Sequence, residues 1–126
     1  IQVGLKLVKE EKANGFVSAG NTGAVLTAST LILGRSSHVE RPALAVSLPS
    51  VKNPFVMLDM GSNVDCKPSH LVQFAIMGHH FSETILNTHN PKIGLLNIGE
   101  EEDKGNYLLQ ITPNQSGGGI EGMSFF

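Results

Sequence analysis

Apolar and polar residues alternate along the N-terminal part of the chain in a pattern that predicts a helix, a strand and a second helix. Apolar residues recur at helical spacing over 1–13, and Gly15 ends that predicted helix. The short apolar run at 16–19 predicts a strand. Over 22–33 the apolar residues are almost continuous, which predicts a buried helix that ends at Gly34.

Two further apolar runs, at 43–48 and 55–59, predict a pair of strands. The connection between them extends only from Pro49 to Pro54. Because a parallel crossover needs about a dozen residues or more, the two strands are predicted to form an antiparallel hairpin.

A long helix and another strand are predicted beyond the hairpin. Pro68 suits the first position of a helix, where its missing N–H costs nothing, and the helix is expected to extend to about Leu86. Its predicted buried stripe consists of Leu71, Phe74, Ala75, Gly78, Phe81 and Ile85, with the glycine allowing close packing on a sheet. A strand is predicted at 92–98. This alternation favours an α/β fold, a three-layer α/β/α sandwich whose sheet is mostly parallel apart from the hairpin at 43–59.

Composition and charge exclude several classes of function. The chain has 126 residues, 40% of them hydrophobic, and a formal net charge of −2, which suits one domain and offers no basic surface for nucleic acid. No apolar run approaches the length that spans a bilayer, and no signal-peptide pattern opens the chain. Cys66 is the only cysteine, which excludes an internal disulfide and leads us to expect a cytoplasmic protein.

The segment SAGNTGA at 18–24 is a turn of small residues between a predicted strand and a predicted helix. Gly20 and Gly23 allow tight bending and close approach of an anion, which the N–H groups of the following helix would face. Asn21 or Thr22 is expected to cap this helix. The glycine spacing matches neither the dinucleotide fingerprint nor the P-loop. The pattern therefore leaves two interpretations open, a phosphate site and an ordinary strand-to-helix turn.

Small and polar residues also follow two of the later predicted strands. The candidates are Asp59, Asn63, Asp65 and Lys67 after the strand at 55–59, and Asn97 and Gly99 near the end of the strand at 92–98. Ligands of open α/β sheets bind beyond the carboxyl ends of the strands, so these ends are expected to converge with the glycine-rich turn on one crevice. For each residue alone, bonding to turn backbone is the commoner role.

Three other groups of residues indicate no chemistry of their own. The acidic run at 100–103 is more typical of a solvated helix start than of a metal site, so no metal is expected. The five histidines lack metal-ligand spacing and are expected at the surface or partly buried; His79 and His80 lie on adjacent helix faces, so at most one of them faces a site. Cys66 is expected to be a small packed thiol, because no catalytic base can be assigned beside it.

Five long segments of the chain carry a family resemblance. They are SAGNTGA from Ser18, RPALAVSLP from Arg41, LDMGSNVDCKP from Leu58, HLVQFAIMG from His70 and GLLNIGEEEDKGN from Gly94. Together they resemble the PlsX family, which are bacterial phosphate acyltransferases of phospholipid synthesis. The match extends almost without interruption to about Asn106, and 107–126 forms a divergent tail in which Ile120-Glu121-Gly122 is the candidate remnant of a family strand.

The resemblance implies a Rossmann-like, isopropylmalate dehydrogenase-like fold and a reaction. A fatty acyl group would pass from acyl carrier protein to inorganic phosphate, giving acyl phosphate, with no cofactor. Because phosphate is already an anionic nucleophile, the protein has to hold it against the thioester and stabilise the oxyanion. Phosphate is expected at Gly20, Asn21, Thr22 and Gly23 with help from Lys67, while Asn63, Asp65 and Asn97 are expected to orient the thioester.

The resemblance also implies that 1–126 is a partial α/β domain, the middle portion of a longer protein, because the family's opening strand and most of its second half have no counterpart here. It implies a homodimer that works in the cytoplasm and associates peripherally with the inner face of the membrane. Two other hypotheses stay open: a general phosphate- or nucleotide-binding α/β domain without acyl transfer, and an inactive truncated remnant.

Overall fold

The computed structural model describes residues 1–61, 63, 65–96 and 123–125, and they form a mixed α/β structure. The chain divides into two compact units, an N-terminal unit, Ile1–Pro42, and a C-terminal unit, Ala43–Phe126. The expected mixture of helices and strands is confirmed.

Two helices in contact with each other, α1 (Gln2–Lys9) and α2 (Thr22–Ile32), make up the N-terminal unit. Leu5 of α1 is only 3% exposed and is the buried apolar residue of this unit. Both predicted helices are confirmed, but α1 ends at Lys9, so the prediction that Gly15 ends it is wrong: Glu11, at φ 57°, already leaves the helical conformation. Gly34 follows α2 with a φ of +87°, a conformation that side chains rarely adopt and that suits the end of a helix.

Two predictions for this unit are wrong. Residues 16–19 form no strand, and Val17 is 96% exposed. A strand exists only where a second strand completes its hydrogen bonds, and no described residue pairs with this segment. The helix α2 is apolar but not buried: Leu31 is 79% exposed, and one face of the helix borders an open groove of about 420 Å³. Apolar composition favours burial, but burial also needs a covering element, and α1 covers only part of α2.

The predicted hairpin is confirmed in the C-terminal unit. Strands β1 (Ala45–Leu48) and β2 (Phe55–Leu58) pair antiparallel, with Ala45 opposite Leu58 and Leu48 opposite Phe55. The N–H of Asp59 donates to the carbonyl oxygen of Leu44 at 2.8 Å, so the pairing continues one residue beyond β2.

The long helix α3 (Pro68–Leu86) follows the hairpin and packs against β2. Pro68 is its first residue, as predicted, and Asn87 ends it in the left-handed conformation at φ 52°. Phe74 and Ala75 of the predicted stripe are buried. Ile85 is 58% exposed, so its predicted burial is wrong; residues 83–85 are all exposed, and no described element covers them.

A short strand, β3 (Ile93–Leu95), pairs in parallel with β4 (Met123–Phe125). The strand predicted at 92–98 is therefore confirmed at Ile93–Leu95; Leu96 lies beyond the strand, and residues 97 and 98 lie outside the described ones. The described residues thus form two two-stranded sheets, one antiparallel and one parallel. Among them, no helix combines the length and the apolar character that crossing a membrane requires.

The contact between α3 and β2 depends on a glycine. A Cβ atom on Gly78 would lie 2.6 Å from Cδ1 of Leu58, so any side chain at this position requires the end of the Leu58 side chain to shift. The predicted close packing of Gly78 on a sheet is confirmed.

We expect Gly78→Leu to lower the free energy of unfolding by about 2–3 kcal/mol, because the new side chain has to displace Leu58 or α3. Gly78→Ala is expected to change it by less than about 1 kcal/mol, since better helix propensity offsets a small shift of the Leu58 methyl group. Urea unfolding followed by circular dichroism measures both. Thr84→Leu, on an exposed face of α3, is the control; an equal loss there would contradict the packing argument.

Candidate functional site

The glycine-rich turn at 18–24 leads directly into α2. Asn21 has an extended backbone and caps the helix: its Oδ1 accepts from the N–H of Ala24 at 3.2 Å. Of the two residues expected to cap the helix, Asn21 is the one that does so. The N–H groups of Thr22 and Gly23 belong to the first turn, whose amides have no partner within the helix.

The backbone before the cap is bent in a way that requires a glycine. Gly20 has φ +115°, and its N–H donates to the hydroxyl of Ser18 at 3.2 Å. Every residue from 17 to 24 is exposed, so the turn is open to solvent and not filled by packed side chains. A helix N-terminus with exposed first-turn amides attracts anions through those amides and the helix dipole. The turn therefore has the local geometry that an anion site needs.

A second candidate segment, 59–67, connects β2 to α3 in the C-terminal unit. Asp59 opens it with φ +61°, in the left-handed region where Asp and Asn are the commonest side chains other than glycine. Its Oδ1 accepts from Nδ2 of Asn63 at 2.8 Å, and its Oδ2 accepts from Sγ of Cys66 at 3.7 Å, which is within range for sulfur. Asp59, Asn63 and Cys66 are thus brought together around one carboxylate.

The segment ends at Lys67, the N-cap residue of α3. The N–H of Lys67 donates to Nδ1 of His70 at 3.0 Å, and the carbonyl oxygen of Lys67 accepts from the N–H of His70 at 3.0 Å. Lys67 and Asp65, which carry opposite charges, are both exposed near the start of α3. Because Nδ1 accepts, the proton of a neutral His70 ring belongs on Nε2.

His70 is 4% exposed, so the expectation that the histidines lie at the surface or are partly buried is wrong for this residue. Its position in the chain offered a signal that sequence reasoning missed. It is the third residue of a helix that begins at Pro68, where Glu or Gln commonly returns a bond to the N-cap amide. The histidine takes that role with a ring nitrogen.

His79 and His80 lie side by side on α3, as predicted, with unequal exposure: 24% for the His79 side chain and 71% for that of His80. Both lie near Glu83, with His79 Nε2 at 3.4 Å from its carboxylate. Within the described part of the chain, no group of three or more His, Cys, Asp or Glu side chains could hold a metal ion.

The predicted convergence of the strand ends on one crevice stays a prediction. The turn at 20–23 belongs to the N-terminal unit and the segment 59–67 to the C-terminal unit. Asn97, Gly99 and the acidic run at 100–103 lie outside the described residues.

Comparison with known proteins decides the family. A family model described as "Fatty acid synthesis protein" matches residues 1–123. The chain belongs to this family. The resemblance drawn from the five sequence segments is thereby confirmed.

Several relatives carry the name phosphate acyltransferase. That of Aquifex aeolicus is 55% identical over 106 residues, which cover 84% of this chain and 32% of the relative. That of Lawsonia intracellularis is 56% identical over 106 residues, covering 84% and 30%. That of Desulforamulus reducens is 49% identical over 133 aligned residues, covering 100% and 40%. The chain therefore spans about a third of the length of the relatives it matches.

We expect Asn21→Ala to destabilise the N-terminal unit by about 1 kcal/mol, because the Ala24 amide loses its partner. Asn21→Ser keeps a side-chain oxygen at the cap and is expected to retain most of the stability. Thermal unfolding of both variants, followed by circular dichroism, makes the comparison. Equal melting of the Ala and Ser variants would show that the side-chain cap contributes nothing.

Proposed function

We propose that this chain carries the phosphate-binding part of a phosphate acyltransferase of phospholipid synthesis. The enzyme transfers a fatty acyl group from acyl carrier protein to inorganic phosphate. The observation that carries the proposal is the turn at 18–24, which is exposed and leads into α2. Asn21 caps the helix and Gly20 bends the backbone before it, in a chain that belongs to this family. The name of the relatives supports the reaction class.

The proposed reaction needs no activated side chain. An oxygen of phosphate attacks the thioester carbonyl carbon, the C–S bond breaks, and the carrier leaves as a thiolate that takes up a proton. The negative charge of the tetrahedral intermediate lies on the former carbonyl oxygen. The protein contributes by aligning two bound reactants and by placing donors where that charge develops.

We assign the phosphate to the turn at 20–23. Amide donors at the start of α2 suit a compact anion with several acceptor oxygens. Gly20 and Gly23 keep side chains away from that anion, and Gly20 could not be replaced without backbone strain at φ +115°. Asn21 holds the first turn in place through the Ala24 amide at 3.2 Å, so its role is both to cap the helix and to shape the anion site.

We assign the second half of the site to the segment 59–67. The exposed ammonium group of Lys67 offsets phosphate charge, and Asn63 and Asp65 orient the thioester. Asn97 remains a candidate for the same task.

The surrounding architecture belongs to the same proposal. We infer that the longer family protein is a three-layer α/β/α sandwich of Rossmann-like type, and that 1–126 forms part of one domain in it. We also propose that it works as a homodimer in the cytoplasm, docks acyl carrier protein and associates peripherally with the membrane. The family relationship supports these points.

The direct test measures acyl phosphate formed from acyl carrier protein thioester and inorganic phosphate. The assay uses this chain and, in parallel, a chimaera in which its 106 matching residues replace those of the Aquifex aeolicus relative. Product from the chimaera supports the proposal. Phosphate binding without product would favour a general phosphate-binding domain, and neither binding nor a cooperative melt would favour an inactive remnant.

Lys67→Ala in the active chimaera is expected to raise the phosphate KM or lower kcat by about 10–100-fold, because a positive charge beside the anion is lost. Lys67→Arg, which keeps the charge, is expected to lose less. Lys52→Ala removes an exposed lysine from the hairpin connection and serves as the control. Unchanged kcat and KM in Lys67→Ala would refute the role of Lys67.

The variant Asn21→Asp tests phosphate binding at the turn without removing the helix cap. Aspartate caps a helix as well as asparagine, so the free energy of unfolding is expected to change by less than about 0.5 kcal/mol. The added negative charge is expected to weaken phosphate binding about tenfold or more. Titration calorimetry with inorganic phosphate measures the affinity, and undiminished binding would place the phosphate elsewhere.

A further inference from the structure

We propose that Asp59 and His70 are positioning residues that hold Asn63 and Lys67 in the geometry acyl transfer requires. This inference rests on the proposed function. Asp59 was a candidate residue without an assigned role, and His70 was not a candidate. Asp59 acts at the start of the segment 59–67 and His70 at its end.

The Asp59 carboxylate uses its two oxygens on two different residues of the segment. Oδ1 accepts from the Asn63 amide at 2.8 Å, and Oδ2 accepts from the Cys66 thiol at 3.7 Å. Asp59 is itself fixed by its N–H, which donates to Leu44 on the neighbouring strand at 2.8 Å. The position of Asn63 is thereby tied to the hairpin.

The His70 ring fixes the other end of the segment. It is 4% exposed, and its Nδ1 accepts the N–H of Lys67 at 3.0 Å. The carbonyl oxygen of Lys67 accepts from the N–H groups of His70 at 3.0 Å and Leu71 at 3.3 Å. Both polar backbone groups of Lys67 are therefore bonded into the first turn of α3, while its side chain lies in solvent.

In this arrangement the residues that contact the substrate differ from the residues that hold them in position. Asn63 and Lys67 present polar groups, and Asp59 and His70 restrict where those groups lie. The rate of a catalysed reaction falls when the side chains that orient the substrate are misplaced, and a displacement of about 1 Å can lower it about a hundredfold. Bonds to a hairpin and to a buried ring provide the needed restraint without contact with substrate.

The geometry can be tested without any activity. Nuclear magnetic resonance of the nitrogen-labelled chain detects scalar coupling across an N–H···N hydrogen bond. We expect such coupling between the Lys67 amide and Nδ1 of His70, and its loss in His70→Leu. In folded protein, absence of the coupling in the unsubstituted chain would overturn the role of His70.

The catalytic consequence is tested in the active chimaera with acyl phosphate formation as the readout. His70→Leu is expected to raise the phosphate KM about tenfold, and Asp59→Asn is expected to lower kcat about tenfold. His70→Gln restores an acceptor for the Lys67 amide and is expected to recover most of the loss. His80→Gln, on an exposed position of the same helix, is the control.

Double substitutions distinguish positioning from simple stability. If His70 acts through Lys67, His70→Leu is expected to change the phosphate KM less than twofold in a Lys67→Ala background. Asp59→Asn is likewise expected to change kcat less than twofold in an Asn63→Ala background. Full effects in those backgrounds, or no effect of the single substitutions, would overturn the inference.

An inactive chimaera that keeps the coupling would refute the proposed function and, with it, the catalytic role of both residues, while leaving the observed geometry intact.

Discussion

The close packing of α3 on β2 is the contact on which the C-terminal unit depends. Gly78 lets the helix approach until Leu58 occupies the space of a missing side chain, 2.6 Å from where a Cβ would lie. That contact holds α3 against β2. The connecting segment therefore has to span a defined gap, and its polar residues bond across it. Asp59 directly follows β2, and His70 lies in the first turn of α3.

Both candidate segments lead into a helix, and the first amides of a helix have no hydrogen-bond partner within the helix itself. At α2 an Asn side chain takes one amide and the others stay open to solvent. At α3 a proline removes one amide and a buried histidine accepts another. The first arrangement leaves donors for an anion, whereas the second uses its donors internally. This difference is why we propose the phosphate site at the start of α2 and not at the start of α3.

Local patterns predicted much of the secondary structure for a physical reason. Helix α3 with Pro68 at its start, the cap of α2 and the antiparallel hairpin all depend on residues close together in the chain. A connection limited to Pro49–Pro54 leaves no other way to pair the flanking strands. The predictions that are wrong are the strand at 16–19 and the burial of α2 and of Ile85. Each depended on strand pairing or packing with residues distant in sequence.

The amino-acid sequence by itself determined the family, the types of its helices and strands, and the chemistry available at 18–24 and 59–67. Only the tertiary structure decided that one carboxylate joins Asn63 to Cys66, and that a histidine without metal-ligand spacing is buried against the Lys67 amide. Helix periodicity and turn chemistry act over a few residues, so they can be recognised in a sequence. Burial and hydrogen-bond partnership depend on how elements pack, and that information lies in the folded chain.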